Sequence, residues 1–331
     1  MIVPNGAPAV SARDLHRRFG EFEAVRGVTF DVAPGEVFGF LGPNGAGKST
    51  TISMLCTLLR ITDGRASVAG FDVSKEPREV RRRIGLVFQD TTLDDYLTAE
   101  ENLRFHAELY GVPRETMGEG IRRVMQLVGL TDRASSLVRT FSGGMKRRLE
   151  IARGLLHSPR VLFLDEPTVG LDPQTRDHIW NYINELRRRE DITIFMTTHY
   201  MDEAEYCDRI AIIDDGRIVV QGTPDELKAS VGKDRIEIRT EDDAAAVEAM
   251  KRMFGVEATR ADGVVRAAVE HGEEFVPQLF ARLGIPIKAV SIARPTLDDV
   301  FLNYTGRTIR DAEATGAQLM RSNVWMRARM R

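Results

Sequence analysis

Val37-Phe38-Gly39-Phe40-Leu41, followed by Gly42-Pro43-Asn44-Gly45-Ala46-Gly47-Lys48-Ser49, is the stretch on which the architecture of this chain turns. The first five residues predict a short strand buried on both faces, as in a parallel sheet. The eight after them fit G-x-x-x-x-G-K-[ST]. Each residue type there has a chemical reason. Glycines let successive backbone N–H groups point into one concavity around phosphate oxygens, and the N-terminus of a following helix adds positive potential. Lys48 is the residue to reach the outer phosphates, and Ser49 offers a hydroxyl to Mg²⁺. Ile52, Leu55, Leu58 and Leu59 fall on one stripe and predict that helix over Thr50–Leu59. Strand, glycine-rich loop and helix together open an α/β nucleotide fold. The phosphate-binding set is then Gly42, Pro43, Asn44, Gly45, Ala46, Gly47, Lys48, Ser49 and Thr50.

Strand signals surround this unit. Val10–Leu15 and the alternation of Val28, Phe30 and Val32 precede it, and Ile84–Phe88, Val161–Leu164, Thr193–Met196 and Ile210–Ile213 follow. Asp215-Gly216 predicts a hairpin into Arg217–Val220. From about 90 to 156 the pattern turns helical, with Thr98 and Glu101 as a capping box and Ile121–Val128 as an amphipathic stretch. A further helix is expected over Gln174–Arg189, with Asp172 as N-cap and Pro173 in the first position.

Val161–Leu164 ends in Asp165-Glu166. Ligands of such sheets bind beyond the carboxyl ends of the strands. Asp165 is thereby placed to hold Mg²⁺, directly or through water, and Glu166 to polarise an attacking water. Acids after a strand also serve as plain helix caps; it is the pairing with Lys48 that favours the chemical reading. His199 follows Thr193–Met196 and should reach the same edge, although a lone histidine is more often structural. Gln89 ends another strand, where a neutral amide can touch Mg²⁺ or water and report occupancy. Phe141-Ser142-Gly143-Gly144-Met145 begins a helix expected to run from Lys146 to about Leu156, and so makes a second anion-binding N-terminus. Two anion sites separated by a helical insertion are explained if two copies face each other, each closing the other's nucleotide.

With these motifs in order, residues Val10 to Gly222 resemble an ABC-transporter ATP-binding subunit. The resemblance makes Gly42–Ser49 Walker A, Gln89 the Q-loop and Ser142-Gly143-Gly144 the signature. Asp165 and Glu166 become Walker B with its catalytic glutamate, Gly170-Leu171-Asp172 the D-loop, and His199 the switch histidine. It also implies an aromatic stacked on adenine, Phe19 ahead of Phe22. Phe141 and Met145 depart from the commonest signature, where Leu and Gln stand. Further on, Arg294-Pro295-Thr296-Leu297-Asp298-Asp299-Val300-Phe301-Leu302 resembles the C-terminal motif of daunorubicin-type drug-resistance exporter ATPases. Read without the resemblance, Thr296–Tyr304 is a capped amphipathic helix with Leu297, Val300, Phe301 and Tyr304 as core positions. The resemblance implies ATP and Mg²⁺ as ligands, a homodimer, a separately encoded membrane permease as partner, and a peripheral place on the cytoplasmic face of the membrane.

Composition agrees. The chain has 331 residues, enough for about two domains. Its 46 Lys and Arg against 49 Asp and Glu leave no overall positive field for coating nucleic acid, so no nucleic-acid partner is expected. At 43% hydrophobic and 29% charged, it has the balance of a chain with a sizeable core. No apolar run approaches the roughly 18 residues of a membrane span, and the opening MIVPNGAPAV has no secretory pattern. Cys56 and Cys207 lack metal-ligand spacing and fit a reducing compartment. The runs Arg81–Arg83, Lys146–Arg148 and Arg187–Arg189 read as solvated helix faces balanced by acids.

The expected organisation is a P-loop α/β ATPase core over 1–222 with a helical subdomain at about 90–156, then an α+β module over 223–310. In that module the expected order is strand Asp234–Arg239, helix Asp243–Phe254, hairpin Ala258–Val269, helix Glu273–Leu283 and strand Ile285–Ile292, which is ferredoxin-like. A tail over 311–331 carries Arg321, Arg327, Arg329 and Arg331 without an acid from Met320 onward, and reads either as disordered or as a segment against a membrane or permease. Two other functions compete with the exporter subunit: an ABC ATPase acting on ribosomes or DNA, and an ATPase regulated by a ligand bound to the C-terminal module.

Overall fold

Each run read as a buried interior strand forms one. A computed structural model describes residues 7–190, 192–261 and 263–308. Its first elements are β1 (Val10–Phe19), β2 (Phe22–Val32), β3 (Val37–Leu41), α1 (Lys48–Leu55), β4 (Asp63–Val68), β5 (Phe71–Asp72), α2 (Pro77–Arg81) and β6 (Ile84–Val87). Next come the helices α3 (Ala99–Leu109), α4 (Arg114–Leu127) and α5 (Gly143–Leu155). The sheet resumes with β7 (Val161–Asp165), α6 (Pro173–Glu190), β8 (Thr193–Thr198), α7 (Met201–Ala204), β9 (Arg209–Asp214) and β10 (Arg217–Gly222). Thereafter follow α8 (Pro224–Val231), β11 (Asp234–Thr240), α9 (Asp243–Phe254), β12 (Ala258–Ala261), β13 (Val264–Val269), α10 (Gly272–Arg282), β14 (Ile287–Ala293) and α11 (Leu297–Thr305). The contacts divide these into two units, one up to Thr223 and one over Pro224–Thr308.

In the first unit, β9, β3, β8, β7 and β6 lie parallel in that order, with β10 antiparallel on the β9 edge. Every residue of β3, β7 and β8 is buried, as their unbroken apolar character requires. A second, antiparallel sheet has the order β2-β1-β4-β5. Between the sheets lies the core, in which the Phe195 ring sits 5.4–5.7 Å from those of Phe30, Phe38, Phe40 and Phe163. Helices α3, α4 and α5 pack on one another as the helical subdomain. Thr98 and Glu101 cap α3 reciprocally, the Glu101 N–H donating to Thr98 Oγ1 at 3.2 Å and the Thr98 N–H to Glu101 Oε2 at 2.7 Å.

The second unit has sheet order β12-β13-β11-β14, all antiparallel, with α9 and α10 as crossovers. That is the ferredoxin-like arrangement expected from element order. Its core gathers Ile236, Ile238, Met250, Val265 and Leu279.

Some readings need correction. The first helix runs Lys48–Leu55 rather than Thr50–Leu59, because Thr57 takes a left-handed φ of 63° and turns the chain out of the helix. Leu58, placed on the apolar stripe, is consequently 52% exposed. Tyr304 is also not core: it is exposed, its hydroxyl 3.4 Å from Ser230 Oγ on α8, while Leu297, Val300 and Phe301 are buried. Strands β4 and β5 and helices α2 and α8 carry too few apolar residues to announce themselves; β4 buries only Ala66 and Val68. The tail over 311–331, and Asp262 within the expected hairpin Ala258–Val269, lie outside the described residues.

Because the Phe195 ring packs among four other rings, Phe195→Ala leaves a large cavity. The expected loss is about 3–5 kcal/mol in denaturant unfolding of the intact chain. A loss below about 1 kcal/mol would show that the core collapses around the site instead.

Candidate functional site

The parallel register brings three strand ends level. Leu41 pairs with Thr198, and Asp165 with Thr197. The loops leaving β3, β7 and β8 therefore emerge along one edge, carrying Gly42–Ser49, Glu166 and His199. The Gly42 N–H donates to Thr198 O at 3.2 Å and ties the first loop to the third.

Glycine is dictated in the first loop by space and by backbone. A Cβ on Gly42 would lie 2.2 Å from Ile213 O. Gly47 has φ 106°, and a Cβ there would lie 2.6 Å from Ala24 O. Helix α1 begins at once with Lys48, and its first turn contains no acidic side chain to offset its positive end. Lys48 is only 4% exposed. Its Nζ donates to Gly42 O at 2.7 Å and to Pro43 O at 3.1 Å, and lies 3.1 Å from Glu166 Oε1. Asn44, Gly45 and Ser49 face solvent at the mouth of this loop, and Thr50 is half-buried on the first turn of α1.

Ser49 Oγ donates to Asp165 Oδ1 at 3.1 Å, which puts a hydroxyl and a carboxylate together. Thr197 Oγ1 donates to the same Oδ1 at 2.5 Å and accepts from the Glu166 N–H at 3.0 Å. Glu166 takes a left-handed φ of 45°, a strained conformation for a residue with a side chain. His199 Nδ1 lies 3.3 Å from Glu166 Oε2, though not in hydrogen-bonding geometry. Burial pushes the Glu166 carboxyl up, but His199 and Lys48 outweigh burial and hold it below the usual carboxylate range. Glu166 is thus a buried carboxylate that stays ionised at neutral pH.

Such an edge suits a polyphosphate: backbone amides, a helix N-terminus and an ammonium on one side, a hydroxyl–carboxylate pair on the other. The pair also fits Mg²⁺. No group of three or more His, Cys, Asp or Glu able to hold a metal occurs among the described residues. A hard cation held by one hydroxyl and one carboxylate must complete its shell with phosphate oxygens and water, which is how Mg²⁺ is usually bound.

The remaining expected residues lie apart from this cluster. Gln89 lies two residues beyond β6, which ends at Val87 instead of Phe88; it is exposed and makes no hydrogen bond among the described residues. Ser142 and Gly143 are exposed, with Ser142 Oγ accepting from the Met145 N–H at 3.3 Å as the N-cap of α5, which begins at Gly143 rather than Lys146. Gly144 is buried, and a Cβ on it would lie 2.4 Å from Thr175 Cγ2 on α6. Asp172 caps α6, accepting from the Thr175 N–H at 3.0 Å and from Thr175 Oγ1 at 2.6 Å, contacts that also hold its carboxyl low. Phe19 and Phe22 face each other across the β1–β2 turn, both exposed, with the Arg17 guanidinium 4.4 Å from the Phe19 ring centre.

Three residues escaped the sequence reading. Thr197 was hidden inside an apolar strand. Glu203 carries no local signal, yet it is 1% exposed and accepts from Thr168 Oγ1 and, at 2.6 Å, from Thr198 Oγ1. Arg147 was read with its neighbours as part of a solvated face; it is 6% exposed, because carbonyls of the site loops replace its water. Its neighbours follow the expected pattern more closely, Lys146 pairing with Asp95 at 2.6 Å.

Two predictions follow from this geometry. Gly144→Ala should destabilise the chain by about 1–3 kcal/mol through the Thr175 methyl. In a Thr175→Ser background, which keeps the hydroxyl that Asp172 accepts from, the same change should be neutral or stabilising, since alanine is the better helix former by about 1 kcal/mol. Equal losses in the two backgrounds would remove the methyl as the cause. The second concerns His16, which bridges Glu23 at 2.9 Å and Asp14 at 3.1 Å behind the Phe19 turn. The Glu23 bond, with help from Asp14, raises the His16 pKa above its ordinary value. Its contribution to stability is therefore complete below about pH 6.5 and disappears as pH rises through the higher folded value. Amide exchange in the β1–β2 turn should accelerate over that upper range beyond the intrinsic trend. An NMR titration of His16 at or below about 6.5 would contradict it.

Comparison with known proteins agrees with the geometry. Residues 25–169 match the family model described as ABC transporter, and residues 222–305 match "ATP-binding protein DrrA1-3-like, C-terminal domain". A linearmycin resistance ATP-binding protein of Bacillus subtilis is 39% identical over 91% of this chain and 100% of its own length. A daunorubicin resistance ATP-binding protein of Streptomyces coeruleorubidus is likewise 39% identical, over 93% of this chain and 98% of its own. A solved ATP-binding cassette, described as the dimeric structure of a post-hydrolysis state bound to ADP and Pi, superposes with a TM-score of 0.58 at 26% identity, covering 65% of this chain and 98% of that one. The chain belongs to the ABC transporter ATP-binding proteins, in the drug-resistance group that carries this C-terminal domain.

Proposed function

We propose that the chain is the ATP-hydrolysing subunit of an exporter, energising a separately encoded membrane permease that moves drug-like or lipophilic compounds. The observation that carries this reading is the meeting of Lys48, Asp165 and Glu166, with Ser49 and His199, at one sheet edge. The resistance roles named for its relatives support the substrate class. No described helix is long and apolar enough to cross a membrane, which fits a subunit that meets the cytoplasmic face through a partner. In this reading residues 1–222 are the ATPase unit and 223–310 an accessory module.

ATP is held in the loop Gly42–Thr50 by its free backbone N–H groups, with Lys48 exchanging its loop carbonyls for the outer phosphates and Phe19 stacking on the base. Ser49 and Asp165, joined by Gln89 once its segment closes in, would hold Mg²⁺, which would supply charge neutralisation to the phosphates when bound. Glu166, ionised and anchored by Thr197, accepts a proton from the water that attacks the γ-phosphorus. The bond to the bridging oxygen breaks, giving ADP and phosphate. His199 keeps the Glu166 carboxylate oriented. Ser142 and Gly143, open to solvent, and Gly144 beside them meet the nucleotide held by a second copy, with Asp172 lining that junction. The dimeric relative supports this arrangement.

Glu166→Gln tests the reading. The amide keeps shape but cannot take the proton, so hydrolysis should fall by about 10²- to 10⁴-fold while ATP binding persists. Size-exclusion chromatography with ATP and Mg²⁺ should show a trapped dimer. Unchanged hydrolysis, or lost binding, counts against it.

A further inference from the structure

Helix α5 presents three charged side chains along one stripe: Arg147, Glu150 and Arg153. None takes part in the phosphate chemistry above. Arg147 and Glu150 are 6% and 1% exposed, a rare position for either charge. Their contact, Arg147 Nη1 to Glu150 Oε2 at 3.1 Å, uses only part of their hydrogen-bonding capacity. The rest goes to loop residues in two places.

The first is the segment around Gln89. Arg147 Nη1 donates to Phe88 O at 2.5 Å, and Glu150 Oε1 accepts from the Thr92 N–H at 2.9 Å. Arg153 Nη1 donates to Thr92 O at 2.9 Å, and its Nη2 to Thr92 Oγ1. Gln89 is thus bracketed on both sides by one helix face. The second place is the exit of β7. Arg147 Nε donates to Pro167 O at 2.6 Å, and Nη2 donates to Asp165 O at 3.1 Å and Glu166 O at 3.3 Å.

The last contact matters because of the Glu166 backbone. A left-handed φ on a residue with a side chain persists only when its surroundings over-determine it. Here the Glu166 N–H is fixed by Thr197 Oγ1, and its carbonyl by Arg147. We propose that Arg147 is a positioning residue for hydrolysis: its guanidinium locks the Glu166 peptide in this conformation and makes the lock depend on where the Gln89 segment is seated. Displacing residues 88–92 withdraws the Phe88 carbonyl and the Thr92 contacts, and with them the seat that aims Arg147 at the exit of β7. Helix α5 is capped by Ser142, so the same rod ties both loops to the signature turn.

The proposal rests on the reading of Glu166 above, and its test separates the two. In the intact chain, phosphate release would be followed against ATP concentration with Mg²⁺, beside thermal unfolding, for Arg147→Lys, Arg147→Met and Glu166→Gln. A lysine keeps the charge opposite Glu150 but cannot donate in the planar fork that reaches both loops. Arg147→Lys should therefore lose stability through the carbonyls left unpaired and, assayed at a temperature where it is fully folded, keep KM within about threefold and lose at least about tenfold in kcat. Arg147→Met, where it folds, should show the same split with a larger kcat loss. A kcat within about twofold of the parent in either folded variant, or one that recovers in step with stability in Arg147→Lys, would overturn the assignment. Turnover that survives Glu166→Gln sinks the functional reading itself; turnover lost there yet kept in Arg147→Lys sinks only the role of Arg147.

Discussion

The buried contact between Lys48 and Glu166 constrains everything around it. Both side chains are 4% exposed and their charges lie 3.1 Å apart. An ion pair out of water is tolerated only when its geometry is good and its remaining donors and acceptors are satisfied, and removing one partner leaves an uncompensated charge worth about 3–5 kcal/mol. The fold meets that demand from several directions. Gly42 and Pro43 turn their carbonyls onto Lys48, and His199 stands against the far oxygen of Glu166. None of this could be assembled unless β3, β7 and β8 ended level, which the parallel register provides.

What was legible in the sequence is what depends on composition over a few adjacent residues. Val37–Leu41 and Val161–Leu164 could only be interior strands, and the glycines after Leu41 could only be a loop with unusual backbone, as the 2.2 Å approach of Ile213 to a Cβ on Gly42 bears out. Capping pairs such as Thr98 with Glu101 are equally local. The ferredoxin-like unit followed from element order alone. What stayed hidden depends on partners far away in the chain. Thr197 matters because its hydroxyl meets Asp165, 32 residues distant, and nothing in its own neighbourhood says so. Arg147 stood among basic neighbours in a helix that looked solvated on that face. Its burial is decided by carbonyls 18 to 20 residues ahead and 59 behind. A charge run reads as a solvated face by default, and that default fails where a loop folds over it.

The helical subdomain looks at first like an insertion that could move freely against the sheet. Its polar contacts say otherwise. Lys146, Arg147, Glu150 and Arg153 each bond to residues between Phe88 and Asp95, the only segment of chain that leads from β6 into the subdomain. A small residue pair adds a close approach beneath them, a Cβ on Gly85 meeting Gly154 O at 2.3 Å. Helix α5 and the chain leaving β6 therefore move together or lose several hydrogen bonds together, the two part-buried ones at Phe88 and Thr92 being the costliest. Leaving such groups unpaired costs about 1–3 kcal/mol each, more for charged ones. That favours two discrete arrangements over a continuum.

The same contacts set the energetic logic of Glu166. Its backbone conformation carries a strain of about 1–3 kcal/mol, which a lone residue would relieve by rotating. Here rotation would have to break the bond from its N–H to Thr197 and the bond from Arg147 to its carbonyl. Thr197 is itself held by Asp165, and Arg147 by Phe88 and Pro167, so the strain is offset by a network and not by any single contact. A carboxylate fixed in this way is preorganised on the backbone side, while its oxygens face Lys48 and His199, both of which can exchange partners when phosphate arrives. In the proposed hydrolysis, rigid support beneath and exchangeable partners above would let one side chain be precisely aimed and still be released at each turnover.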